Sequence, residues 1–213
     1  MLRISRAVQD EKSFHAGMEA ITAATREELV ARLEALPPNI KGEIIHGTLY
    51  TMPKARARHQ RVGTFFGRHL GGGFDFDDDG PGGWWILCEP GVELPDAPEV
   101  VPDVAGWRRT TMPEYPSPGE PIRVVPDWLC EVLSPTTGQY DRAVKLPLYA
   151  KCGVPWIWIV DTVHQTIEVL ELERGCWVLR TVVGEEQRVR IPPFDAIEMP
   201  LGRLWIPMNE RLG

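Results

Sequence analysis

The chain has no surplus of positive charge: 23 lysines and arginines face 30 aspartates and glutamates, for a net charge of −7. That balance excludes a broadly basic coat for nonspecific nucleic-acid binding, though not a local basic rim. Its four cysteines, Cys88, Cys130, Cys152 and Cys176, stand 42, 22 and 24 residues apart. No C-x-x-C pair exists, which excludes a paired-cysteine zinc site and favours a reduced, cytoplasmic setting. The five histidines contain no H-E-x-x-H spacing, and no Walker or dinucleotide loop is present. Ser134 in E-V-L-S-P lacks the flanking glycines of a nucleophile elbow. The first residues lack the apolar run of about 7–15 residues of a signal peptide, and no stretch approaches the roughly 20 apolar residues of a membrane span. A soluble cytoplasmic protein with no membrane partner is the expectation.

What is present suits one globular domain. The 213 residues are 43% apolar and 25% charged, enough to bury a sizeable core. Residues 1–24 show no period and read as a variable arm; 25–213 read as a single domain. Thr25-Arg-Glu-Glu28 is a capping-box pattern opening a helix whose Leu29, Leu33 and Leu36 share a face, stopped by Pro37-Pro38. Glu43 to Met52 reads as a hairpin turning at His46-Gly47, and Arg58 to Leu70 as a helix ended by Gly71-Gly72-Gly73. Further strands are expected at Trp84–Leu94, Glu99–Ala105, Asp127–Leu133, Trp156–Asp161, Thr166–Glu171 and Trp177–Val183, and a proline-rich loop at Pro113–Pro121. Asp75 to Gly80 imitates half of a calcium loop, but the twelfth position is Ile86 and the flanks are glycine runs. A solvated acidic turn is the better reading.

The chemistry concentrates between Pro102 and Lys145. Asp103 in P-D-V-A and Glu131 in E-V-L-S-P-T-T lie on two extended segments 28 residues apart. Pairing of those strands would bring the acids within a few ångströms, because neighbouring strands lie about 4.8 Å apart. After Ser134-Pro135 the period becomes helical, with Tyr140, Val144, Leu148 and Tyr149 on an apolar face, Thr136 or Thr137 as cap, and Asp141 and Lys145 four apart on one side. Two carboxylates and an ammonium together could hold a divalent metal against a phosphate. The plainer alternative has Asp103 capping a turn, Glu131 paired with Arg142, and Lys145 in solvent. Glu131 resists that alternative, since an unpaired charge within an apolar strand is costly. Arg56, Arg58, Arg61 and Arg68, with Arg108-Arg109 and Arg142, form either a basic rim or a solvated face.

The order V-P-D-V-A, E-V-L-S-P-T-T, D-R-A-V-K-L-P-L-Y and G-V-P-W-I-W-I-V-D, preceded by K-G-E-I-I-H-G-T-L, a helix carrying His59-Gln60, and E-P-G-V-E-L, resembles the Uma-two family of restriction-endonuclease-like proteins in the PD-(D/E)XK nuclease superfamily. The likeness runs from about Glu27 to about Leu201. It implies an α/β (α+β) restriction-endonuclease-like core with a central mixed sheet flanked by helices. It also implies Mg²⁺ or Mn²⁺ on Glu43, Asp103 and Glu131, with Asp103, Glu131 and Lys145 catalytic and His59, Gln60 and Asp141 auxiliary. The expected activity is that of a metal-dependent endonuclease cutting DNA, and the expected assembly is a homodimer. The superfamily places a lysine two residues after the second acid, where this chain has Leu133; Lys145 on the following helix is its natural replacement. The same departure fits a second reading, an interaction or regulatory module whose chemistry has lapsed, and a third is a hydrolase of small phosphate esters.

Overall fold

The computed structural model describes residues 18–54, 57–117, 119–135 and 137–206. Two sheets carry the fold. Strands β1 (Glu19–Thr22), β2 (Ile40–Ile45), β3 (Thr48–Pro53), β5 (Val92–Leu94) and β6 (Ala97–Val100) form one, in the order β1-β3-β2-β6-β5. Strands β4 (Trp84–Cys88), β7 (Val104–Arg108), β8 (Trp128–Leu133), β9 (Trp156–Asp161), β10 (Thr166–Glu173) and β11 (Cys176–Gly184) form the other, in the order β11-β10-β9-β8-β7-β4. The second sheet is mixed, because β8 and β9 run parallel while its other pairs are antiparallel. Strands β12 (Arg188–Val189) and β13 (Met199–Pro200) make a small separate ribbon. The expected mixed sheet is there. The five-stranded sheet goes beyond the expectation, and it takes in residues 19–22, which the sequence pattern assigns to the arm. Residues 1–17 of that arm lie outside the described residues.

Two expected strands break where the chain changes sheet. The segment 84–94 divides at Glu89, whose φ of 48° ends β4 before β5 begins. Likewise 99–105 divides into β6 and β7, leaving Asp103 in the crossing itself. The two crossings are tied together by the Glu89 N–H, which donates to the Asp103 carbonyl at 3.0 Å.

Helix α1 (Arg26–Glu34) begins at the predicted cap: the Glu28 N–H donates to Thr25 Oγ1 at 3.1 Å, while the Glu28 carboxylate reaches one residue past the cap and accepts from the Ala24 N–H at 3.3 Å. Leu29 then packs with Ile44 and Leu49 on the outer face of the five-stranded sheet. Helix α2 (Ala57–Phe66) does not stop at the glycine run; it continues in wide, π-helical turns over Gly67–Asp75. Of the three glycines Gly73 serves close approach, since a Cβ there would collide with Ile197, whereas one on Gly72 would meet open space. Past them, Asp75 is buried, its carboxylate accepting from the Ile86 N–H at 3.0 Å and lying 3.5 Å from Arg109. It thereby covers part of the β4 edge and departs from the reading of a solvated turn, which holds for the exposed Asp77, Asp78 and Asp79.

Alternation along β8 sorts two cores. Trp128, Cys130 and Val132 face the core beneath α2, where Trp128, Trp158 and Phe194 pack edge to face at 4.9–5.6 Å. Leu129 faces the other core, which lies between the two sheets and a helical segment made of α3 (Gly138–Tyr140), a π-helical turn (Asp141–Lys145) and α4 (Leu146–Cys152). Glu131 shares the parity of Leu129. Thr137 makes no side-chain cap, and Thr136 lies outside the described residues; Ser134 Oγ accepts the Thr137 N–H at 3.0 Å instead. Pro147 has no N–H to return to the preceding turn, and the helix widens just before it. Gly153, at φ 81°, closes α4 with the left-handed residue such an end requires.

Candidate active site

Three elements deliver charged side chains to one buried point. Lys41, Glu43 and Ile45 alternate toward the inner core on β2, opposite in parity to Ile44, which faces α1. Glu131 arrives from β8, and the π-helical turn presents Lys145. The Lys145 ammonium lies 2.7 Å from Glu131 Oε1 and 3.3 Å from Glu43 Oε1, with its side chain only 2% exposed. Glu43 is further held by the Val101 N–H at 2.7 Å and the Tyr140 hydroxyl at 2.8 Å, while Tyr149 donates its hydroxyl to Glu131 at 2.6 Å. Lys41 lies 3.8 Å from Glu43 and donates to the Val101 carbonyl at 2.6 Å.

Asp103 sits beside this cluster. β7 pairs with β8 in the register Val104 to Cys130, so one step further along places Asp103 opposite Glu131, and its carboxylate accepts the Val132 N–H at 2.7 Å. Asp141 is buried on the same helical segment, and among the described residues its Oδ2 has no hydrogen-bond partner. The plainer alternative fails at two positions: Arg142 pairs with Glu168 at 2.7 Å rather than with Glu131, and Lys145 is not in solvent. His59 and Gln60 lie on α2, and among the described residues their side chains make no hydrogen bond or ion pair with the cluster. A groove lined by Thr25, Arg26, His46, Glu93 and Asp96 is separate from it.

The charges interact strongly. Burial pushes the Glu131 carboxyl up to about 7, helped by the negative charges of Asp103 and Glu43 and opposed by Lys145 and Lys41. Burial also drives Asp141 well above the usual carboxylate range, with Glu131, Asp103 and Glu43 adding to it against Lys145. For Glu43 burial is outweighed by Lys145, Lys41 and its two hydrogen-bond donors, so its carboxyl is held low. Burial disfavours the Lys145 ammonium, but Glu131, Glu43 and Asp141 together raise it well above its ordinary value. It therefore stays charged.

Among the described residues no three acid, histidine or cysteine side chains converge tightly enough to hold one ion by themselves. Glu43 and Glu131 meet at an ammonium, and Asp103 meets a backbone N–H, so the expected three-carboxylate grouping is not gathered into one ligand sphere. The donor chemistry nevertheless suits a hard cation: four carboxylates stand against two ammoniums, and one buried carboxylate oxygen lacks a partner. Mg²⁺ commonly takes only one or two carboxylates, the rest of its shell being water and phosphate oxygens.

Sequence reasoning missed Tyr140, Tyr149 and Lys41. The first two read as plain apolar positions, yet a buried tyrosine hydroxyl requires a partner, and two on one helix face signal an acceptor opposite. Lys41 stands two residues before Glu43, hence on the same strand face.

A mixed sheet with flanking helices, bearing strand carboxylates that face a helix-borne lysine, places the chain in the nuclease-fold class. A solved structure agrees: the putative nuclease of DUF820 from Anabaena variabilis superposes with a TM-score of 0.60 at 19% identity, over 83% of this chain and 96% of that one. The profile of Uma2, described as putative restriction endonuclease, matches residues 26–202, and the chain belongs to that family. No curated protein matches it.

Proposed function

We propose that the protein is a metal-dependent endonuclease that hydrolyses DNA phosphodiester bonds. The observation that carries this reading is the buried Lys145 ammonium bridging Glu131 at 2.7 Å and Glu43 at 3.3 Å, from three separate elements. Structural economy does not explain such a group, because a buried ion pair seldom out-stabilises apolar side chains of the same volume. Perturbed, mutually coupled titratable groups on this scale are typical of functional sites. Asp103 and Glu131, opposite one another across β7 and β8, are the residues that would hold Mg²⁺ or Mn²⁺, with Glu43 paired to the Lys145 ammonium beside them. When bound, such an ion supplies Lewis-acid polarisation of a phosphodiester and makes water a better nucleophile. Lys145, whose ammonium stays charged, offsets negative charge developing on the phosphoryl oxygens and orients the attacking water. Tyr149 and Tyr140 fix the two glutamates, and Asp141, one turn before Lys145, adds negative charge that favours its ammonium.

The test is cleavage of plasmid DNA with Mn²⁺ by the purified protein and by Asp103→Ala and Glu131→Ala. The expected loss is about 100-fold or more in rate with the fold retained, in line with the removal of one electrostatic stabiliser. Activity that survives both substitutions refutes the assignment. The protein is further proposed to work as a cytoplasmic homodimer, a reading that the four free cysteines and the commonness of twofold assemblies support; sedimentation at the 24.0 kDa chain mass would count against the dimer.

One observation favours a second reading, the lapsed interaction module. Glu43 and Glu131 converge on an ammonium rather than on a shared oxygen sphere, and Leu133 occupies the motif's lysine position. Titration calorimetry separates the two, since a lapsed site takes up no Mn²⁺ at about millimolar concentration, far above the needs of a working metal site.

A further inference from the structure

Half of the arginines among the described residues meet a carboxylate, as Arg26 meets Glu93, Arg109 meets Asp75, Arg142 meets Glu168, Arg180 meets Glu171 and Arg188 meets Glu198, while Arg108 lies over Trp84 and Arg190 donates to the Asp195 and Ala196 carbonyls. The arginines along α2 belong to the other half and are grouped. Among the described residues, which do not include Arg56, the side chains of Arg58, Arg61, Arg68 and Arg203 make no ion pair with a carboxylate. Arg61 and Arg68 lie on the side of the helix opposite the buried Phe66 and Leu70, whereas Arg58, four residues before Val62 and seven before Phe65, is half-buried on the packed side. Arg203 is joined to the row because its carbonyl accepts a hydrogen bond from Arg61 Nη2. His69, stacked on Phe65 at 4.4 Å, is held below its ordinary range by burial and by the charges of both Arg68 and Arg203. Glu186 lies against Gly202 but forms no ion pair with Arg203. Arg61, Arg68 and Arg203 are exposed.

The row also points somewhere. Arg58 donates to the Thr162 carbonyl at 3.2 Å, just beyond the end of β9. β9 runs parallel to β8 in the register Glu131 to Ile159 and Leu133 to Asp161. The Arg58 end of the row and the Glu131 end of β8 therefore lie at the same end of the sheet. From Arg58 to Arg68 the row extends for about 15 Å at 1.5 Å per residue.

We infer that Arg61, Arg68 and Arg203 form a docking surface for the phosphate backbone of duplex DNA, laid along the outer side of α2, on the face of the six-stranded sheet away from the carboxylate cluster and reaching, at Arg58, the end of the sheet where that cluster lies. The inference rests on the DNA reading above and adds to it the surface on which the substrate lies. Charge complementarity commits the occupant to a polyanion: among the described residues these cations have no carboxylate partner, so locally they attract phosphate even on a molecule of net charge −7.

The test is fluorescence anisotropy with a labelled duplex of about 30 base pairs in EDTA, across a salt series, comparing the intact protein with Arg61→Gln/Arg68→Gln/Arg203→Gln. The triple variant is expected to bind at least about tenfold more weakly at about 100 mM salt, with the slope of log K against log salt reduced by about 2–3, near 0.9 for each phosphate no longer neutralised. Arg180→Gln/Arg188→Gln, which removes carboxylate-paired arginines, is expected to leave affinity within about twofold. No binding by the intact protein at about 50 mM salt overturns the inference, as does an unchanged slope in the triple variant, an equal weakening in the paired-arginine control, or a preference for single-stranded RNA. Because these measurements exclude divalent metal, failure of the catalytic reading would show itself separately, as absent Mn²⁺ uptake or absent cleavage while arginine-dependent binding persists.

Discussion

Replacing Lys145 by methionine tests the central feature of the molecule, because it removes the charge and keeps most of the volume. The ammonium is 2% exposed and contacts two carboxylates at 2.7 and 3.3 Å. Removing one partner of a buried ion pair costs about 3–5 kcal/mol, the uncompensated charge being the main cause. At about 2–4 °C per kcal/mol for a domain of this size, the melting temperature should fall by roughly 6–20 °C. The loss should depend on pH in a definite direction. Glu131 already titrates at about 7 in the folded state against 4.5 for a free glutamate, and without the ammonium it moves higher still. A carboxyl whose folded value exceeds its unfolded value binds a proton on folding. Its contribution is full below the unfolded value and declines as pH rises through the folded one. Near pH 5.5 the variant can protonate Glu131 and escape much of the penalty; near pH 8 it cannot do so as cheaply. Circular-dichroism melts in EDTA at the two pH values measure this. A drop below about 2 °C at both, or a larger drop at the acidic pH, would refute the buried-bridge account.

Two further substitutions examine the supports of the fold and the cluster. Tyr149→Phe deletes a hydroxyl donating to Glu131 at 2.6 Å; a loss of about 1.5–3 kcal/mol in denaturant unfolding and an upward move of the Glu131 titration, followed by carboxyl NMR, are expected, and an unmoved titration would show that the bond is not made. Asp75→Ala strands the buried Ile86 N–H and removes one carboxylate from Arg109, which keeps the Asp75 and Trp84 carbonyls; a loss of about 1–3 kcal/mol is expected, and an unchanged urea midpoint would show that the β4 edge needs no such cover.

Much of the framework is legible along the chain because the signals are local. The helix cap at Thr25, the His46-Gly47 hairpin and the alternation of β8 depend on neighbours within a few residues, and each is found as read. The errors fall where distant packing overrides a local cue. A glycine run that reads as a helix stop is instead a helix passing close to Ile197. Strands that read as continuous are cut at Glu89 and near Asp103, because the chain there leaves one sheet for another.

By itself, then, the sequence determined which residues are charged, which element each rides on and which strand face it takes, since period and parity are properties of the backbone. Only the tertiary structure decided what those charges meet. That Lys145 lies between Glu131 and Glu43, that two tyrosine hydroxyls bind the same carboxylates, and that Arg142 turns instead to Glu168 depend on how two sheets and a helix close around one low-dielectric core. The physical reason is that ion pairing and burial act across space, between residues as far apart in the chain as Glu43 and Lys145, where no periodicity links them.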